Sequence, residues 1–164
     1  MSSTATTPPS ALGTETEHQF SLLRKGLLAI TGLGVVGIVS ELIFLRHWEE
    51  PLQLVALAAA AVLGVALLMV AFGGTGLVKL GRALAVAVFV ASAIGVAVHV
   101  NVNLEEASNP ENWGDAWNSL SPLQQLWEAT TGGTGDIPAL APASLAQTAL
   151  ALLLATIHHP KLSR

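Results

Sequence analysis

The chain contains no cysteine and few charged residues, and each shortage excludes a class of function. Without a thiol the protein can form no structural disulfide, thiolate metal site or dithiol redox centre. Charged residues make up 11% of the chain, against about 25% in an average soluble protein. Apolar residues make up 52%, so we expect lipid to be the solvent of much of the chain. With a formal net charge of −4 and no basic stripe, nucleic acid is not an expected partner.

Four long apolar runs predict four transmembrane helices, at about residues 26–45, 52–72, 80–100 and 138–157. Each run reaches the ~20 residues that cross a hydrocarbon core of about 30 Å. None alternates apolar and polar residues as a barrel strand does, and alanine and leucine dominate the second and fourth. The sequence therefore predicts an all-α integral membrane bundle of four transmembrane helices.

The segments at the two ends of the chain are polar. Residues 1–23 begin with a stretch of Ser, Thr, Pro and Glu that cannot bury enough apolar surface to fold alone, so we expect a disordered tail. Residues 161–164 form a second, short tail. The glycine-rich connection at residues 73–76 is too short to allow anything but antiparallel packing of the second and third helices.

The connection at residues 101–137 is longer than a plain loop should be, which indicates secondary structure of its own. Within it, Ser121, Pro122 and Gln124 have the pattern of an N-cap, a first-turn proline and a capping-box glutamine. We expect two short amphipathic helices here, one carrying Trp113 and Trp117 and the other carrying Trp127. These three tryptophans are predicted to lie at the membrane surface or at an interface with a partner.

The basic residues predict the orientation of the chain. Six of the seven lysines and arginines fall on one side of the four predicted helices: Arg24, Lys25, Lys79, Arg82, Lys161 and Arg164. By the positive-inside rule both termini are then cytoplasmic, and residues 46–51 and 101–137 are external. The alanine-rich, charge-poor composition favours a bacterial plasma membrane.

Polar side chains inside the apolar runs mark the candidate site. Glu41 and His99 are ionisable, so they must face protein, a cavity or each other. Small residues let membrane helices approach closely, and Gly34 and Gly37 share a helix face with Glu41. We therefore expect an internal polar site with the following members: Glu41, His99, Gln53, His47, Asn103 and Gln147.

Three functions are open for this site. Glu41 and His99 could hydrogen-bond and fix the register of a structural subunit. With His47 they could instead hold an outer-leaflet haem, metal ion or quinone. Transport by a small oligomer is the third, since proton-coupled carriers use buried carboxylates. Because no nucleophile and base are paired, we expect a non-enzymatic accessory or assembly subunit of a larger membrane complex, without a cofactor, and keep the cofactor-binding protein as the alternative.

Short pieces near the outer helix ends carry a resemblance. They are Glu41-Leu42, Leu45 to Glu49 with Gln53, His99 with Asn103 and Glu106, Pro138 to Pro142, and His159-Pro160. Over about Arg24 to Pro160 the chain resembles a group of small uncharacterised bacterial four-helix membrane proteins. The resemblance implies a four-helix membrane fold with polar residues at the outer helix ends, and it implies no activity.

Overall fold

The computed structural model describes residues 11–49, 51, 53–109, 111–131 and 141–162. These ranges contain six α-helices and no strand, which confirms the all-α prediction. The helices are α1 (Ala11–Phe44), α2 (Gln53–Phe72), α3 (Thr75–Ala107), α4 (Asp115–Ser119), α5 (Pro122–Thr131) and α6 (Ala141–Ala155).

Three helices, α1, α2 and α3, are long and apolar enough to cross a membrane. The fourth predicted span is only partly matched, because α6 has 15 residues. Its predicted start at residue 138 lies outside the described residues. At its other end, the amides of Thr156 and Ile157 bond to carbonyls three residues back. His158 then has a φ of 49°, which ends the helix before the predicted boundary.

The first and third helices extend beyond their predicted boundaries. Residues 11–23, expected to be disordered, form the start of α1, whereas residues 1–10 lie outside the described residues. Contacts with the far end of the chain stabilise this extension: the rings of Phe20 and His158 lie 5.4 Å apart. Composition alone could not reveal that contact. Helix α3 similarly continues to Ala107, because its last turns bury Asn103 and Ala107.

Helix α6 lies between α1 and α3. It packs extensively against both, and α2 also contacts both, whereas α1 and α3 share few contacts or none. Apolar residues from these four helices form one core, and its buried members include Ile38, Leu63, Val88 and Leu152. The first and third helices are therefore held apart by the other two.

Close contacts at small residues show how neighbouring helices run. A Cβ added to Gly34 would lie 2.7 Å from Thr148 Oγ1, so α1 and α6 touch here. Arg24, ten residues before Gly34, donates from Nη2 to the carbonyl oxygen of His158, which lies ten residues after Thr148 and just past the end of α6, at 3.0 Å. Equal spacing on the two helices means that they are antiparallel. Helices α2 and α3 also pack closely, with Gly81 against the Ala66 carbonyl, as the short connection predicted.

Gly34 and Gly37 have different surroundings in the structure, although the sequence placed both on one packing face. Replacing Gly34 by alanine puts a methyl group against Thr148, and we expect this overpacking to cost about 1–3 kcal/mol of unfolding free energy. The Gly37 position has no atom within 4 Å of an added Cβ, so Gly37→Ala should be neutral or stabilising through helix propensity.

Unfolding of the purified variants in detergent measures both effects. Thr148→Ala should rescue Gly34→Ala, because only the Thr148 Cβ, at 3.3 Å, would then remain close. Equal losses for the two glycine variants would contradict this packing.

Candidate functional site

Glu41 lies in the last turns of α1 and is exposed, which corrects the prediction that it faces the interior. Glu41 lies two turns after Gly34 and therefore on the same side of α1. That side contacts α6 at Gly34. At the height of Glu41, α6 is only beginning at Ala141, so the helix offers Glu41 no cover. Gly37, one turn below, is exposed as well. The carboxylate therefore stands on the outer flank of the contact between α1 and α6.

Gln147 lies on the same outer flank, on α6. It is exposed, although the sequence placed it on the packing face. Its neighbour Thr148 faces inward against Gly34 instead, and the buried side of α6 is formed by Leu145, Ala149 and Leu152. On both α1 and α6, small and polar residues form a stripe that marks the side facing another helix. In the structure, α1 and α6 touch along only one edge of these stripes. The remainder is open.

The structure does not bring His99 into an interface with Glu41. His99 is half-buried on α3, and α3 and α1 share few contacts or none. Short connections make the first helix a neighbour of the second, and the second a neighbour of the third. Because α6 also lies between them, the first and third helices are on opposite sides of the pair formed by α2 and α6. The predicted pairing of Glu41 with His99 has no support in this packing.

His47 and Gln53 serve the turn between α1 and α2. Arg46 has a φ of 51°, and the His47 amide donates to the Leu42 carbonyl at 2.8 Å, which is the Schellman pattern that ends helices. Gln53 Oε1 accepts a bond from the Glu49 amide at 3.0 Å. Both residues, predicted to line a site, therefore contribute contacts to the turn itself.

Asn103 is fully buried near the end of α3, and its side chain anchors α5. Its Nδ2 donates to the Ala129 carbonyl oxygen at 2.8 Å. The sequence analysis placed Asn103 in the internal polar site and missed this role. Two signals were available: Asn103 and Ala107 share one face of α3, and Gln125 and Ala129 share one face of α5.

The predicted short helices exist, and the capping box at the start of α5 is formed. The Ser121 amide donates to Gln124 Oε1 at 2.9 Å, and the Gln124 amide donates to Ser121 Oγ at 3.4 Å. We refer to α4, α5 and the end of α3 as the cap. A further hydrogen bond joins α5 to α4 within the cap: Gln125 Nε2 donates to the Trp117 carbonyl oxygen.

The three tryptophans of this region have different environments. Trp117 is 5% exposed and meets half-buried Trp113 edge-on, with ring centroids 5.7 Å apart. Trp117 is thus part of the cap's own core, which corrects its assignment to an outer interface. Trp127 is 66% exposed beside exposed Leu123 and Leu126. Of these three tryptophans, Trp127 on α5 is the one that offers a largely exposed ring to lipid or to another protein.

Metal binding has no geometric support in the part of the chain that the structure describes. No group of three or more histidine, aspartate and glutamate side chains there could hold a metal ion. Haem binding at His47 and His99 stays a prediction, as does quinone binding at His99 and Glu41. The separation of Glu41 from α3 removes one of the groups on which the metal and quinone hypotheses relied.

Comparison with known proteins adds no further constraint. No protein-family model matches the chain, and comparisons with curated proteins and with solved structures give no match. The resemblance to small bacterial four-helix membrane proteins therefore stays a prediction.

The bond from Asn103 should determine whether α5 stays docked. Replacing Asn103 by alanine removes the donor to a buried carbonyl, and we expect a loss of about 1–3 kcal/mol. Hydrogen exchange should show faster exchange across α5 and little change in α2. Asn101→Ala is the matched control, because Asn101 is exposed and its side chain bonds within its own helix, to Glu105 at 2.7 Å. If both variants left α5 equally protected, the anchoring role would be wrong.

Proposed function

We propose that the chain is a non-enzymatic accessory or assembly subunit of a membrane protein complex, and that a partner's transmembrane helix packs on the outer flank of α1 and α6. The observation that carries this proposal is the exposure of Glu41 and Gln147 on two neighbouring, antiparallel helices. Polar groups on apolar helices are unfavourable against lipid and are normally covered by protein. In this chain the cover has to come from another protein.

Small residues on the same flank favour a helix as the partner. Gly37 is open to the outside, and Ser144 on α6 is half-buried beside Gln147. Such residues allow backbones to approach closely, and interhelical hydrogen bonds then add stability. We infer a partner helix with a hydrogen-bond donor or a cation facing Glu41. Lipid would supply neither a close-packed backbone nor a fixed donor.

The membrane placement that we propose has four spans, with α6 as the fourth. Although α6 is short, it is buried against α1 and α3 along most of its length. Arg24 and His158 lie at one end of the assembly, as do Lys161 and Gly73, whose carbonyl accepts a bond from the lysine. We call this the basic end and place it, with both termini, on the cytoplasmic side of a bacterial plasma membrane.

A reporter enzyme that is active only outside the cytoplasm tests this orientation. It should be active when inserted between Asn118 and Ser119 and inactive when fused after Arg164. The opposite result would reverse the proposed orientation.

Glu41→Leu tests the docking flank. In the purified chain we expect this variant to be at least as stable as the wild type, because the exposed Glu41 side chain has no partner among the residues that the structure describes. In the native membrane it should fail to assemble. The matched control is Glu17→Leu, which makes the same change at an exposed position of the same helix, near its other end.

Native electrophoresis of the mildly solubilised, tagged chain gives the readout. The wild type and Glu17→Leu should migrate in a complex larger than the chain, and Glu41→Leu should migrate as the chain alone. A wild-type chain that migrates alone would contradict the subunit role. Co-purification of two differently tagged copies would show self-association and would also contradict an accessory role.

A further inference from the structure

A groove at the basic end lies between the start of α1 and the end of α6. Its volume is about 210 Å³, and its walls come from Phe20, Leu23, Arg24 and Leu27 on one side and Leu154 and Ile157 on the other. Almost all of these side chains are apolar, and Leu23 and Ile157 are more than half exposed. The groove is therefore open towards whatever surrounds the helices.

Arg24 has unused hydrogen-bonding capacity. Its Nη2 donates to the His158 carbonyl, whereas its Nε is buried and has no partner among the residues that the structure describes. No carboxylate in that part of the chain forms an ion pair with it, and nearby Glu15 and Glu17 on α1 are exposed. A guanidinium without a counter-ion in an apolar setting is unfavourable, and its planar donor set matches a phosphate group.

The surrounding groups make this corner positive. Lys161 Nζ donates to the Gly73 carbonyl at 2.6 Å, and this neutral acceptor leaves the charge of the ammonium uncompensated. His159 is 5% exposed. Burial, and then the charges of Arg24 and Lys161, lower the pKa of this imidazole, which is therefore neutral at pH 7. The fixed positive charge of this corner comes from Arg24 and Lys161.

We propose that this groove binds an anionic phospholipid, with its phosphate on the Arg24 guanidinium and an acyl chain between Leu23, Leu27 and Leu154. The groove complements both parts of such a ligand, because a cation and apolar side chains line the same groove. A free phosphate would use Arg24 but none of the apolar walls. The inference depends on the proposed membrane placement, and it is independent of the partner helix at Glu41.

Thermal unfolding of the purified full chain in lipid nanodiscs provides the test. Discs of phosphatidylglycerol should raise the unfolding midpoint by about 3 °C or more over discs of phosphatidylcholine with the same acyl chains, because a ligand that binds only the folded state stabilises it. Native mass spectrometry of the wild type should show one retained phosphatidylglycerol.

Two variants should lose this stabilisation. Arg24→Gln removes the charge, whereas Leu154→Trp fills the groove and keeps arginine at position 24. The matched control is Lys25→Gln, which removes an equal charge from the next, exposed position and should behave as the wild type. Circular dichroism in phosphatidylcholine discs verifies the folding of each variant. If Arg24→Gln did not fold, Leu154→Trp and the retained lipid would decide the question.

Three results would overturn the proposal. These are no difference between the two lipids in the wild type, equal losses in Arg24→Gln and Lys25→Gln, and full stabilisation by inorganic phosphate in phosphatidylcholine discs. Flotation of the chain with membranes and the native complex of Arg24→Gln report separately on the proposed function. A failed lipid site is thereby distinguished from a chain that does not reside in the membrane.

Discussion

The antiparallel packing of α6 between α1 and α3 is the constraint on which the rest of the structure depends. Because α6 contacts both helices, α1 and α3 share little or no direct contact. The contact at Gly34 and Thr148 fixes the height at which α1 and α6 meet. That height leaves Glu41 level with the start of α6, and it brings Arg24 to His158 at the opposite end. One helix pair thus determines the surroundings of both candidate binding surfaces.

The two ends of the assembly have different chemistry. At the end that carries the cap, Asn103 holds α5 on α3, and Trp117 is buried within the cap. At the basic end no carboxylate compensates Arg24 or Lys161 within the described residues, and Arg24 lines an otherwise apolar groove. The groove has the chemistry to hold an anionic lipid, whereas the flank with Glu41 and Gln147 is suited to a partner helix.

Local patterns in the sequence predicted the local structure well. Hydropathy located α2 closely, and the capping box at Ser121 and Gln124 correctly predicted the start of α5. Contacts between distant segments could not be predicted. Small-residue spacing marks a contact face but not the neighbour or the edge used, so Gly34 is packed while Gly37 and Glu41 are not. The start of α1 looked disordered because its stabilising contacts come from the far end of the chain.

Paired cysteines test the position of α6 most directly, since the chain has no cysteine of its own. The Cβ positions at residues 34 and 148 lie 3.3 Å apart, close to the separation of about 3.5–4.5 Å found in disulfides. With both Gly34 and Thr148 replaced by cysteine, mild oxidation in membranes should cross-link the chain. With Glu41 and His99 replaced, it should not. Efficient cross-linking of the second pair without the first would place α1 against α3 and contradict the account.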